Sequence, residues 1–252
     1  MNLESAFKEA FFTVVRIRTL SESGQISHGT GFVYEYITED NNFPFLVTAQ
    51  KLVASAAEGR LALMQAEAKG PKLGKGYTLD IDQFARLWYS HPDNDIGVSI
   101  TPFVPFVRHI ENTGIRIHFN AFLEKDLLNS EYYQKADLGA SCHMIGFPAG
   151  YWDRKNLLPV SRKSMLASLP CVDYGVRHQL LLDSPCHSGW LGSPVLDKSE
   201  SGEVRLMGML SHCEFQDEEE QDAADQGSMS IMIKTDAIIE TITAYLKEKG
   251  FI

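Results

Sequence analysis

From Phe11 onward the chain breaks into short apolar and β-branched runs, each closed by Gly, Pro, Asp or Asn, and this punctuation constrains the fold more than any other feature. Residues 11–18 (FFTVVRIR), 29–36 (GTGFVYEY) and 45–48 (FLVT) follow one another across turn-length gaps, as successive antiparallel strands do. Further runs lie at 95–100 (DIGVSI), 142–146 (CHMIG), 161–168, 179–183 (QLLLD), 193–196, 205–211 (RLMGMLS) and 228–233. Many short strands with so few helical stretches between them indicate an all-β barrel or sandwich. Helical spacing occurs at the two ends. Leu3, Phe7 and Ala10 share a face of a short N-terminal helix, and Ile238, Ile239, Ile242, Tyr245 and Leu246 recur through 235–249 behind a Thr–Asp start. Two stretches fit neither period. The Ala-, Lys- and Gly-rich 54–76 is expected to contain a short helix, and 214–227, with the run DEEEQDAAD, a solvated loop.

Composition removes several function classes. Acidic residues outnumber basic ones 33 to 23, giving a formal charge of −10, and no basic stripe stands out along the chain. Nucleic acid is therefore not an expected partner. No run reaches the about eighteen apolar residues of a membrane span, and Glu4, Lys8 and Glu9 stand where an export signal would be apolar. The four cysteines (Cys142, Cys171, Cys186, Cys213) are dispersed without a CxxC pair, which suits small buried hydrophobes in a reducing, cytoplasmic setting. His91 and His187 have no third group at ligand spacing, and no phosphate-binding glycine loop is present, so neither metal nor cofactor is expected.

Six segments carry a more specific signal: GTGFVY, LVTAQKLV, HPDNDIGV, MIGFPAGYWDRKNLLPVSR, LLLDSPCHSGWLGSPVLD and MGMLSH, in that order. Together they resemble the trypsin-like serine proteases. The likeness runs from Phe11 to the C-terminal helix and looks closest to the intracellular bacterial trypsin-like peptidase domains, which share the W-x-x-HP-x-x-D segment (Trp88, His91, Pro92, Asp95) and the stretch around Gly146 and Pro148. The resemblance implies two antiparallel six-stranded β-barrels with a short N-terminal helix and a C-terminal helix. The first barrel would span about 11–105, the second 135–233 and the helix 235–250, all within one trypsin-like domain. It also implies a cleft between the barrels, with a His, an Asp and a Ser that divide the work of base, orienting group and nucleophile.

The chain departs from that pattern at two of the three positions. Lys51 stands at the His position in LVTAQKLV, Asp95 matches the Asp, and Leu191 in G-W-L-G-S-P replaces the nucleophile. A Leu side chain has no lone pair with which to attack a carbonyl, so no competent triad is expected. By resemblance Gly189, Trp190 and Gly192 form the loop that would hold an oxyanion, and Pro185, Ser188, Ser211, His212 and Cys213 line the peptide cleft. Lys51 and Asp95 are expected to pair as ions in place of the His–Asp hydrogen bond, with Ser211 as a second donor to Asp95. Trp190 reads equally as a cleft contact or a core residue.

The function expected is that of a catalytically inactive trypsin-like protein, a pseudoprotease. It would bind a protein or an extended peptide, by strand addition along 205–213, as a regulatory or scaffolding subunit in a hetero-oligomer. One alternative is a hydrolase with an unorthodox site, built on Lys51 with Ser188 or on a cysteine (Cys186 beside His187, Cys213 beside His212). A second is a structural interaction domain whose contacts lie outside the cleft.

Overall fold

The computed structural model describes residues 5–149, 151–184, 188–199, 202–214 and 229–252, without the side chains of 213 and 214. A short helix α1 (Ala6–Glu9), capped by the Ser5 hydroxyl, leads through a 3-10 turn into the first sheet. That sheet comprises β1 (Val14–Ser21), β2 (Ile26–Ile37), β3 (Asn42–Ala49), β4 (Ala56–Glu67), β5 (Gly70–Asp82), β6 (Tyr89–Ser90), β7 (Val98–Pro102) and β8 (Ile117–His118). Its strands run in the order β5-β4-β1-β2-β3-β7-β6, with β8 on β4. Alternation along β1 sends Val15 and Ile17 into a core with Val33, Leu46 and Leu61, and leaves Arg16 and Arg18 on the opposite face.

The second half is a closed six-stranded barrel, β10-β11-β14-β13-β12-β9. It is built from β9 (Ser141–Gly146), β10 (Val160–Leu166), β11 (Gln179–Asp183), β12 (Pro194–Lys198), β13 (Val204–Glu214) and β14 (Met229–Lys234). Met144, Leu180, Leu182 and Met232 fill it, together with Trp190. A third core joins the halves: Phe32, Phe45 and Val47 from the first sheet meet Leu206, Met209 and Ile233 from the barrel. Helices α2 (Gln50–Val53), α3 (Val104–Glu111) and α4 (Ser130–Lys135) are short insertions. The long helix α5 (Thr235–Glu248) buries Ile238, Ile242 and Leu246 in the joint core, as its 3.6-residue spacing predicts.

The two-barrel β architecture with terminal helices is present, and the second barrel has the expected six strands; the first half reaches eight by adding short pairs. Local boundaries differ for physical reasons. Residues 54–76 hold no helix beyond the start of α2's cap and instead form most of the β4–β5 hairpin, with strands of 12 and 13 residues. Ala, Lys and Gly are weak strand formers, but burial of Leu61, Leu63 and Leu79 decides the matter, and Lys72 and Lys75 suit an exposed edge strand. The strand expected from Asp95 starts at Val98, because Asp95 and Ile96 belong to a turn closed by Ile96 N–H to Asp93 O (3.1 Å). The acidic run 217–225 lies outside the described residues.

Two ion-pair centres fasten the barrel. Glu240 on α5 takes Arg177 at 3.0 Å and His178 at 3.1 Å, and reaches His91 of the first half at 3.4 Å. The Asp93 amide donates to His91 Nδ1, so Nε2 is the nitrogen that carries its proton toward Glu240. Lys234, nearly buried, donates to Asp173 at 2.8 Å and to Pro170 O at 3.3 Å, and lies 5.0 Å from the Tyr133 ring centroid. Burial raises the Asp173 pKa, but the Lys234 hydrogen bond and the His178 amide outweigh it and hold the carboxyl below its usual value. Asp173→Asn is expected to cost about 1–2 kcal/mol, the low end for a pair whose acid is partly exposed. A carboxyl depressed on folding contributes stability above its unfolded pKa and loses it as pH falls through the folded value. Urea titrations should therefore show the gap between wild type and variant at pH 7 closing below about pH 4.

Candidate functional site

The cleft is built from the ends of β3, β7 and β13 and the turn at 188–193. β3 ends at Ala49 and α2 begins at once, its Gln50 N–H donating to Gly97 O (2.8 Å). Leu52 and Val53 are buried and Lys51 projects to solvent. Asp95 is also exposed, its amide bound to Asp93 Oδ1 at 3.1 Å. Among the described residues no ion pair joins Lys51 to Asp95 and no hydrogen bond joins Ser211 to Asp95, so that expectation is corrected. Its physical premise fails, because a carboxylate left in water needs no compensating cation. The interior place goes to Ile96, 1% exposed, and then to Gly97, where a Cβ would sit 2.5 Å from Ser211 Oγ. Ser211 Oγ instead lies 3.3 Å from His212 Nδ1.

The turn carrying Leu191 is tied down by hydrogen bonds to β2 and β13. Gly189, at φ +98°, donates its N–H to His28 O (2.9 Å) and accepts from Thr30 Oγ1 (2.8 Å). Thr30 Oγ1 also accepts from Phe147 N–H at 3.0 Å, and Thr30 N–H donates to Leu191 O at 2.8 Å. Gly192 N–H reaches Leu210 O (2.8 Å), and Leu210 N–H returns to Ser193 O (2.9 Å). The amide that an oxyanion would need is thus already spent on a carbonyl of β2. Trp190, 3% exposed, belongs to the barrel core, which settles its two readings. Leu191 is half-buried and packs against both the joint core and the barrel core.

Among the described residues the other nucleophile candidates are not assembled. Ser193 is fully buried, its Oγ without a partner and close against Gly146. Ser188 is exposed, and no hydrogen bond links it to Lys51 among the described residues. Burial pushes the Cys142 thiol up to about 12, which keeps it protonated and inert. Pro185, Cys186 and His187 lie outside the described residues, as does the side chain of Cys213. Among the described residues no group of three His, Cys, Asp or Glu side chains is placed to hold a metal ion.

His212 is a titratable group of this cleft with a large shift. Burial, followed by the charge of Lys51, pushes its pKa down to about 4. A histidine depressed on folding binds fewer protons native than unfolded between about pH 4 and 6.5, so its contribution to stability is intact above that window and falls as pH drops through it. A proton NMR titration should find the His212 ring neutral at pH 6, and Lys51→Ala should move its midpoint upward. An unchanged midpoint in Lys51→Ala would place the two side chains too far apart to interact.

His28 and Thr30 organise the turn and were not among the expected site residues. The only hint for Thr30 was its place between Gly29 and Gly31, and His28 contributes through its backbone, which no side-chain pattern reveals.

No protein-family model matches the chain, and no curated protein does. Solved structures match well over its length. The HtrA-type protease AlgW, in a serine-to-alanine variant with a tripeptide, aligns at a TM-score of 0.56 and 14% identity over 99% of this chain, which spans only 65% of that protease. Deg5 aligns at 0.52 and 16% over 92% of this chain and 88% of its own. An inactivated protease paralogue of the scabies mite aligns at 0.51 and 13% over 95% of this chain and 96% of its own. The fold is the chymotrypsin-like fold of the trypsin-like serine proteases, and identities this low establish the fold alone.

Proposed function

We propose that this protein is a catalytically inactive trypsin-like protein that binds an extended segment of a partner protein in its inter-barrel cleft, as a regulatory or scaffolding subunit. The observation that carries the reading is the Gly189 N–H bound to the His28 carbonyl beside a leucine at the nucleophile position. Both the attacking atom and a donor for the oxyanion are missing, and each is a separate requirement of acyl transfer. The same fold occurs in an inactivated protease paralogue, which is a precedent of kind and not of partner.

Strand addition, expected along 205–213, is confined by the pairing. Residues Val204–Met209 of β13 already hydrogen-bond to β12, and from Gly208 the strand pairs with β14 on its other side. At the C-terminal end of this segment His212–Glu214 pairs with β14 and has no β12 partner among the described residues, so a peptide would add there.

The test is exposure of the purified protein to a fluorophosphonate and an iodoacetamide probe, followed by ester and casein hydrolysis assays. No serine or cysteine adduct at cleft residues and no turnover above buffer is the expected result. Stoichiometric labelling of Ser188, Cys186 or Cys213 with turnover would overturn the reading in favour of an unorthodox hydrolase.

A further inference from the structure

Four arginines that the linear sequence scatters meet on one face of the first sheet. Arg18 on β1 stands directly opposite His28 on β2 and Arg60 on β4, and Arg16 lies two residues along on the same face. Arg154, from the loop after β9, joins them: the Trp152 ring has the Arg16 guanidinium 4.8 Å and the Arg154 guanidinium 6.0 Å from its centroid. Burial, then Arg154, Arg18 and Arg60, lower the Arg16 pKa; burial, then Arg16 and Arg18, lower that of His28. Like charges directly across strands oppose folding, so this face is kept against its own repulsion in a chain of net charge −10.

Acid partners are few. Asp80 pairs with Arg60, and Asp153 is committed to Lys155 N–H and to Asn156. Arg16, Arg18 and Arg154 have no carboxylate or hydrogen-bond acceptor among the described residues, and His28 Nδ1 is buried without a partner. The face borders the Gly189 turn, since His28 O and Thr30 Oγ1 both bind Gly189. Beside it opens a cavity of about 150 Å³, with Arg16 and Trp152 on its wall and Phe12, Leu63, Phe119 and Leu157 among its apolar lining.

We propose that this face is the docking wall for an acidic peptide segment of a partner protein, whose carboxylates pair with Arg16, Arg18 and Arg154 while a neighbouring apolar side chain enters the cavity beside Trp152. Guanidinium is suited to bidentate carboxylate contacts, and stacking on Trp152 holds two of the guanidiniums in place before a ligand arrives. The apolar cavity next to the charges favours a peptide over a small inorganic anion, and the acidic remainder of the surface disfavours nucleic acid. The inference rests on the proposed peptide-binding role of the cleft and names the chemistry of what it binds.

Fluorescence anisotropy on the full chain tests it with three labelled hexapeptides: Glu-Asp-Glu-Leu-Asp-Glu, the same peptide with Ala for Leu, and its Gln/Asn counterpart. The acidic leucine peptide should bind best, and Arg18→Glu or Arg154→Glu should each weaken it by about tenfold, the scale of one charge-assisted contact. Raising salt to about 0.5 M should remove most of the difference between acidic and neutral peptides. Circular dichroism melts confirm that the two variants are folded. Equal affinity for the neutral peptide, or no effect of either charge reversal, overturns the inference; if the neutral peptide still binds in the cleft, the broader peptide-binding role survives without it. Displacement by inorganic pyrophosphate with no preference for Leu over Ala also overturns it, in favour of a small-oxyanion site. Fluorophosphonate labelling removes the non-catalytic role whatever the arginine variants do.

Discussion

Gly192→Ala is expected to destabilise the protein by about 4 kcal/mol. Gly192 has φ +82°, a region that costs an L side chain about 1–3 kcal/mol. A Cβ there would lie 2.0 Å from Thr30 O and 2.3 Å from Thr48 Oγ1, atoms already bonded to each other at 2.7 Å. Neither can retreat without breaking a buried hydrogen bond, so overpacking adds about 1–3 kcal/mol. The sum, about 4 kcal/mol, removes most of the stability of a domain at the low end of the usual range of about 5–15 kcal/mol. Gly24→Ala is the control. Gly24 has a similar φ of +83° but nothing within 4 Å of the added carbon, and its cost should stay near about 1 kcal/mol. Urea unfolding of both variants makes the comparison, and similar midpoints would mean that Thr30 and Thr48 do not clamp this turn.

On the inactive reading proposed above, placing His and Ser at positions 51 and 191 should not create an enzyme. The double variant Lys51→His, Leu191→Ser returns the base and the nucleophile in name, yet hydrolysis of an activated ester is expected to remain at the buffer rate. The Asp95 carboxylate faces solvent and cannot orient an imidazole at position 51, and the Gly189 N–H stays on the His28 carbonyl. Loss of one oxyanion donor alone costs about 10²–10³ in rate, and the wrong imidazole tautomer about 10⁴. A steady-state rate more than about 10³-fold above buffer would mean that the turn opens and that Lys51 and Leu191 were the only defects.

The positions that the resemblance assigns to the triad can be placed from sequence because motifs are local. G-x-x-G-S-P fixes the register of Leu191, and T-A-Q-K fixes that of Lys51. What could not be read depends on where the chain goes next. D-I-G-V matched a strand opening, but a turn at 93–96 moves the carboxylate outward and lets Gly97 face Ser211. The edge hairpin at 56–82 was obscured by Ala and Lys, which are weak strand formers, although Lys suits an exposed edge. The arginine face is invisible as a stripe along the chain, since its members are 2, 44 and 138 positions from Arg16 and meet only through strand pairing and a loop folded back on β1.

Leu191 packs into two cores at once, and Glu240 takes partners from both halves of the molecule. The seam is therefore held by shared packing and by ion pairs that reach across it. Walls that share a core cannot part to swallow a folded object. Under the binding role proposed above, such a groove would select for thinness, taking linkers and tails that arrive already unravelled and leaving globular surfaces on its rim.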